Sequence, residues 1–171
     1  MFSTLCKPWR AAFEMAWEAF VNGSLPIGAA IADESEVISV GRNRLYEPGS
    51  LNPKVAHAET EAIFKLDTKK YPGVYTYALY ATTEPCPMCM GAFVMANLRK
   101  LRIAARDNYC GAAHYCADDK YIASKNIKVE FEGGIMETAQ DVMMLYYELR
   151  ATNGETNKII EMIKQKTTRR L

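Results

Sequence analysis

Two short segments constrain this chain more than any others: His57-Ala58-Glu59 and Pro85-Cys86-Pro87-Met88-Cys89. One imidazole and two thiols form a three-donor set for zinc, which in catalytic sites leaves the fourth tetrahedral position to water. Cys86 and Cys89 are three residues apart, so in the first turn of a helix beginning near Pro87 both sulfurs can lie on one side. Proline suits such a first position, where its missing N–H has no intrahelical partner to lose. The start of a helix also favours thiolate over thiol, the form that binds a metal. Glu59 stands two residues from His57. In mid-helix that spacing would separate the pair, whereas at the opening of a helix both side chains can bend toward one point.

Charge accounting then gives Glu59 a task. Zn²⁺ with two thiolates and a neutral imidazole sums to zero, so such a centre activates water less strongly than three imidazoles would. A base must assist, and Glu59 is expected to take a proton from the attacking water and pass it to the substrate. For that task near neutral pH, an apolar pocket should raise its pKa. Two other readings compete. A lone C-x-x-C also serves thioredoxin-like redox sites, which have no use for His57 or Glu59. A structural zinc knuckle needs a fourth protein ligand. The only other donors of that kind are His114, Cys6, Cys110 and Cys116, none of them in a second C-x-x-C or H-x₃-H pair.

The chain has 171 residues, 49% hydrophobic and 24% charged, which fits one globular domain over 1–171 with a C-terminal helix at about 155–166 as an appendage. A net charge of +1 argues against nonspecific nucleic-acid binding. The basic clusters at 99–102 and 164–170 are expected to be solvated faces. No window reaches the apolar length of a membrane span, and the opening residues lack a signal-peptide pattern, so a reducing cytoplasmic setting is expected. There Cys6, Cys110 and Cys116 read as small buried hydrophobes.

Trp9, Phe13, Ala16, Trp17 and Phe20 recur at helical spacing and predict a first helix over 8–22. Strands follow at 28–32 and 37–40, joined across 33–36, and then a loop rich in Pro, Gly and Asn at 43–55. A second helix starts at His57 and Glu59, presents Ala58, Ala62, Ile63 and Leu66 on one face, and is broken by Pro72-Gly73. A third strand is expected at 74–82, the cysteine turn and third helix at 84–97, and strands at 101–105 and 127–131. Helices at 136–151 and 155–165 complete the order, the first presenting Ala139, Val142, Met143, Tyr146 and Leu149. Strands interleaved with helices indicate an α/β sandwich with helices on both faces of a mixed sheet.

Pro26-Ile27-Gly28-Ala29, Gly41-Arg42-Asn43, Ala56-His57-Ala58-Glu59 and the run from Thr83 to Ala92 occur in the order seen in zinc-dependent deaminases. The chain resembles the branch of that superfamily holding tRNA adenosine deaminases, guanine deaminases and cytosine deaminases. The resemblance implies a three-layer α/β/α sandwich with a five-stranded mixed sheet, one Zn²⁺ per chain and a homodimer. It also implies that Asn43 hydrogen-bonds the substrate base, helped by the backbone of Ala58 and of the Glu84 turn. Residues 104–107 and 111–113 are similar to tRNA adenosine deaminases. Beyond them that pattern departs, and Asp118-Asp119-Lys120 is similar to an acidic pair in guanine deaminases, where Asp118 or Asp119 would assist proton transfer or bind a purine. Helix capping explains the pair equally well. With the small net charge, the departure favours a free nucleobase or nucleoside, a purine such as guanine, over tRNA as substrate.

Overall fold

In the computed structural model, residues 5–33, 36–49 and 52–168 are described. The opening segment 1–4, the hairpin residues Glu34 and Ser35, Ser50 and Leu51 of the loop, and Arg169 to Leu171 of the basic tail lie outside them. Five strands form one sheet: β1 (Gly28–Ala32), β2 (Val37–Arg42), β3 (Ala78–Thr83), β4 (Lys100–Ala105) and β5 (Lys128–Phe131). Their spatial order is β2-β1-β3-β4-β5. β1 runs antiparallel to both of its neighbours, whereas β3, β4 and β5 are mutually parallel.

The two-residue period of a strand sends alternate side chains to opposite faces, and two cores follow from it. Ala29, Ile31, Leu79, Leu101 and Ile103 face α2 (Ala58–Phe64) and α3 (Pro87–Met95), against Ala62, Met90 and Phe93. Ala30, Ala32, Ala78, Tyr80 and Ala104 face α1 (Lys7–Val21), against Trp9, Ala12 and Phe13, with Met136 and Met143 of α6 (Gly134–Ala151) packed beside them. Helices therefore cover both faces, as the α/β/α reading expects. Short helices α4 (Tyr115–Asp118) and α5 (Lys120–Ala123) precede β5, and α7 (Lys158–Thr168) closes the chain.

Several expectations need correction. Val74–Thr76 is a 3₁₀ turn rather than the start of the third strand, held by Thr76 N–H and Oγ1 donating to the Gly73 carbonyl at 2.9 and 2.7 Å. Local side-chain bonds of this kind compete with the sheet ladder for the backbone. α4 and α5 fall in a stretch for which the sequence predicts no element, and Asp119 caps α5, the capping reading of the acidic pair. Trp17 is 55% exposed, because the buried stripe of α1 runs through the small residues Ala12, Ala16 and Ala19 instead. Cys6 and Cys110 are exposed, not buried. The largest departure is in α6, whose buried residues are Gln140, Asp141 and Glu148, while Val142 and Tyr146 of the expected apolar stripe face solvent.

Gly41 places α2 against the sheet. A Cβ there would lie 2.1 Å from the Ala58 carbonyl oxygen and 2.4 Å from the Ala62 nitrogen, so only glycine lets β2 approach the opening turn of that helix.

Candidate active site

His57 is the N-cap of α2 and Cys86 the N-cap of α3, both with extended backbone, so two helix openings meet at one point. Cys89 follows in the first turn of α3 and is fully buried. The His57 Nδ1 atom and the two Sγ atoms form a triangle with every side 3.6 Å. Tetrahedral bonds of the usual zinc–nitrogen and zinc–sulfur lengths would set such donors about 3.6–3.8 Å apart, so the triangle fits a zinc ion. The imidazole also hydrogen-bonds the Lys54 backbone carbonyl, the type of outer contact that orients a metal-ligating histidine. Among the described residues no fourth His, Cys or acidic side chain joins this cluster.

The electrostatics agree with a ligand role. The Cys89 thiol and the His57 ring beside Cys86 hold the Cys86 thiol at about 4, well below the ordinary thiol. The Cys89 thiol, sharing a proton with Cys86 and buried, is pushed up. Cys86 in turn raises the His57 imidazole. Glu59, only 4% exposed, has its carboxyl raised chiefly by burial.

These groups open into a cavity of about 250 Å³. It is lined by His57, Glu59 and Cys86 together with Asn43, Thr83, Arg106, Asp107 and Cys110. α6 contributes Gln140, Met144 and Glu148, and α7 contributes Ile159, Met162, Ile163 and Lys166. Lys166 ties α7 down: its Nζ lies 2.9 Å from both Glu137 Oε1 and Asp141 Oδ1 and donates to the Arg106 carbonyl at 2.7 Å. Thus the segment set apart in the sequence as an appendage lines the cavity and buries Ile160. Five acidic residues line this space against Arg106 and Lys166 as its lysine and arginine residues.

The other residues singled out in the sequence fall into two groups. Asn43 is buried on the cavity, where its Oδ1 accepts from Ser24 Oγ at 2.7 Å and from the Leu45 N–H at 3.0 Å. Both of those donors occupy the carbonyl end, which leaves the Nδ2 donor for a ligand. Ala58 is fully buried at the first position of α2, where a backbone N–H has no intrahelical partner. The Glu84 side chain acts as a clamp, accepting from the N–H of Asp107 at 3.2 Å and of Ala113 at 3.0 Å. Gly111 fits beneath it, since a Cβ there would come within 2.5 Å of Glu84 Cδ. By contrast, Asp118 and Asp119 are exposed and do not line the cavity; Asp119 Oδ1 accepts from the Ile122 N–H at 2.9 Å as a helix cap. His114 is exposed at the start of α4, beside a separate shallow hollow.

Gln140, Met144 and Glu148 were missed in the sequence. Their four-residue interval was the available signal, hidden by a more conspicuous apolar stripe on the opposite side of the helix.

A five-stranded mixed sheet between helices, with a His-Cys-Cys triangle and a buried glutamate at two helix starts, defines a zinc-dependent deaminase domain. The family model for the cytidine and deoxycytidylate deaminase zinc-binding region matches residues 3–105, and the chain belongs to that family. It is 31% identical over 148 residues to the tRNA-specific adenosine deaminase of Aquifex aeolicus, covering 84% of this chain and 94% of that one. It is 36% identical over 100 residues to the guanine deaminase of Bacillus subtilis, covering 57% and 60%. A solved structure from work on A-to-I editing by tRNA:A34 deaminases at the wobble position of transfer RNA superposes with a TM-score of 0.61 at 26% identity, covering 78% of this chain and 95% of that one. The protein is accordingly a zinc-binding hydrolase of the deaminase type.

Proposed function

We propose that this protein hydrolytically deaminates a free nucleobase or nucleoside, a purine such as guanine favoured, with zinc on His57, Cys86 and Cys89 and with Glu59 as the proton carrier. The observation that carries the reading is the three-donor triangle beside a buried glutamate that lines the same cavity. Bound zinc supplies Lewis acidity that brings water into a usable pKa range. Glu59 takes one proton from the attacking water and delivers it to the ring nitrogen beside the reacting carbon. The water oxygen bonds that carbon, the bond to the exocyclic nitrogen breaks, and the second water proton leaves with the amine as ammonia, passed on by Glu59. A ring carbonyl remains in place of the amine.

Asn43 Nδ2 donates to the edge of the base, joined by the Ala58 N–H and the backbone of the Glu84 turn. Apolar walls from Leu25, Ile27 and Met144 exclude water from the ring faces.

A second reading, deamination of a tRNA wobble adenosine to inosine, is favoured by the names of several relatives. Two features favour the small substrate: the acidic lining repels phosphates, and α7 closes in the space that flanking nucleotides would need. A non-catalytic structural zinc would call for a fourth protein donor, which the described residues do not bring to the cluster. Ammonia release by zinc-loaded protein, measured on guanine, adenine, cytosine, their nucleosides and a tRNA transcript, separates the three. Release from the tRNA alone would replace the small-molecule reading, and no release at all would leave the structural one.

A cytoplasmic setting and a homodimer belong to the same proposal. All five cysteines are unpaired, and no helix among the described residues is long and apolar enough to cross a membrane. Phe64 and Met95, 86% and 71% exposed, offer apolar surface to a second copy, which light scattering after gel filtration would detect.

A further inference from the structure

Helix α6 buries the polar side chains of Gln140, Asp141 and Glu148 while Val142 and Tyr146 face outward. Gln140, Met144 and Glu148 follow one another at four-residue intervals on the face that lines the cavity, while Val142 and Tyr146 are 58% and 60% exposed. An inward polar stripe reverses the usual amphipathic arrangement, so a buried polar group here calls for a partner. Two members of that stripe carry an acceptor oxygen without a partner: Gln140, whose Oε1 is sealed from solvent, and Glu148, which is the charged one. Only 8% exposed, it accepts from Asn157 Nδ2 at 2.8 Å through Oε2. Its other oxygen has no partner among the described residues and is not among the unpartnered side-chain atoms sealed from solvent. Oε1 therefore keeps some accessible surface, and Glu148 lines the cavity. The same cavity is lined by the apolar side chains of Leu25, Leu45, Met144 and Ile159. An acceptor left unmet in such a wall is costly, and a hydrogen-bond donor on the ligand would offset that cost.

If the base lies against Asn43 and Glu59, as proposed above, what reaches Glu148 is a substituent of the base. A phosphate there would meet the like charge of the Glu148 carboxylate. A sugar hydroxyl would instead donate to Oε1 and rest its carbon skeleton on the apolar side chains. We propose that Glu148 is a specificity-determining residue that accepts a hydrogen bond from a sugar hydroxyl of the substrate, so that the substrate is an unphosphorylated nucleoside. This rests on the deaminase reading of the same site.

The test compares guanosine and adenosine with guanine and adenine, and with the two 5′-monophosphates, on zinc-loaded wild type and Glu148→Gln. In the variant, Asn157 holds the amide oxygen, so an NH₂ group faces the cavity and the acceptor becomes a donor. The preferred nucleoside should lose about tenfold in kcat/KM through KM, the value of one hydrogen bond, while the free base changes by less than about twofold. Glu148→Asp, with its acceptor on a shorter arm, should fall between, and it carries the comparison if the glutamine variant does not fold. A wild type that prefers the free base or the monophosphate overturns the proposal, as does a variant that slows base and nucleoside alike or neither. Should no substrate react, the deaminase reading fails while Glu148 is still tested by calorimetric binding of purine riboside, which lacks the amine. Binding about tenfold weaker in Glu148→Gln supports the role, and equal or absent binding in both proteins refutes it.

Discussion

Glu59 is where burial and chemistry meet in one side chain. Because burial raises its folded pKa above the unfolded value, its contribution to stability is fully present below the ordinary carboxylate range and is lost as pH rises through the raised value. In metal-free protein, Glu59→Gln should therefore gain in melting temperature relative to wild type between pH 4 and pH 7, as thermal scans at the two pH values would show. With zinc restored, the same variant should retain its metal by elemental analysis and lose ammonia release by about 10²-fold or more, as expected for a missing proton carrier. Activity near wild type would remove Glu59 from the role. Cys86→Ala and Cys89→Ala should each lose zinc, whereas Cys110→Ser should keep it, since Cys110 lies outside the donor triangle. One tight zinc retained in both alanine variants would refute the ligand set. Each pair was legible in the sequence because its geometry is local, C-x-x-C opening one helix and H-x-E opening another, whereas bringing His57 to Cys86, 29 positions away, is the work of the fold.

At the scale of elements, close approach governs the site. Gly41→Ala would drive a methyl group into the Ala58 carbonyl, pushing β2 from the turn that carries His57 and Glu59. The cost should be about 2–3 kcal/mol in denaturant unfolding, as for other overpacked contacts, with activity falling further than stability accounts for. Glu84→Gln removes one of the acceptors that clamp the loop after β4 and should cost about 1–2 kcal/mol by the same measurement. The helices α1, α2 and α3 and the strands could be read in the sequence from period and punctuation. The inward face of α6 could not, because amphipathic patterning presumes that apolar residues point to the core. Here the helix also borders the cavity, and Gln140 donates to the Pro26 carbonyl at 2.7 Å and to Thr83 Oγ1 at 2.9 Å.

Across the whole molecule, α7 is held to the rest by Lys166, whose head group joins α6 and the loop after β4. With the lysine only 11% exposed, Lys166→Met should cost about 2 kcal/mol and raise hydrogen exchange throughout α7, both measurable on the metal-loaded protein. Unchanged exchange in α7 would show that its apolar contacts alone hold it. Residue type and spacing by themselves named the proposed donor set and the proposed proton carrier and predicted the layered fold, through coordination chemistry, helix geometry and strand alternation. Tertiary structure alone decided which face of α6 meets the cavity, that α7 lines it, and that Glu148 lies beside a space shared with Glu59, a residue 89 positions earlier in the chain. Those facts depend on packing between distant segments, and no local pattern records which side of a helix its neighbours will cover.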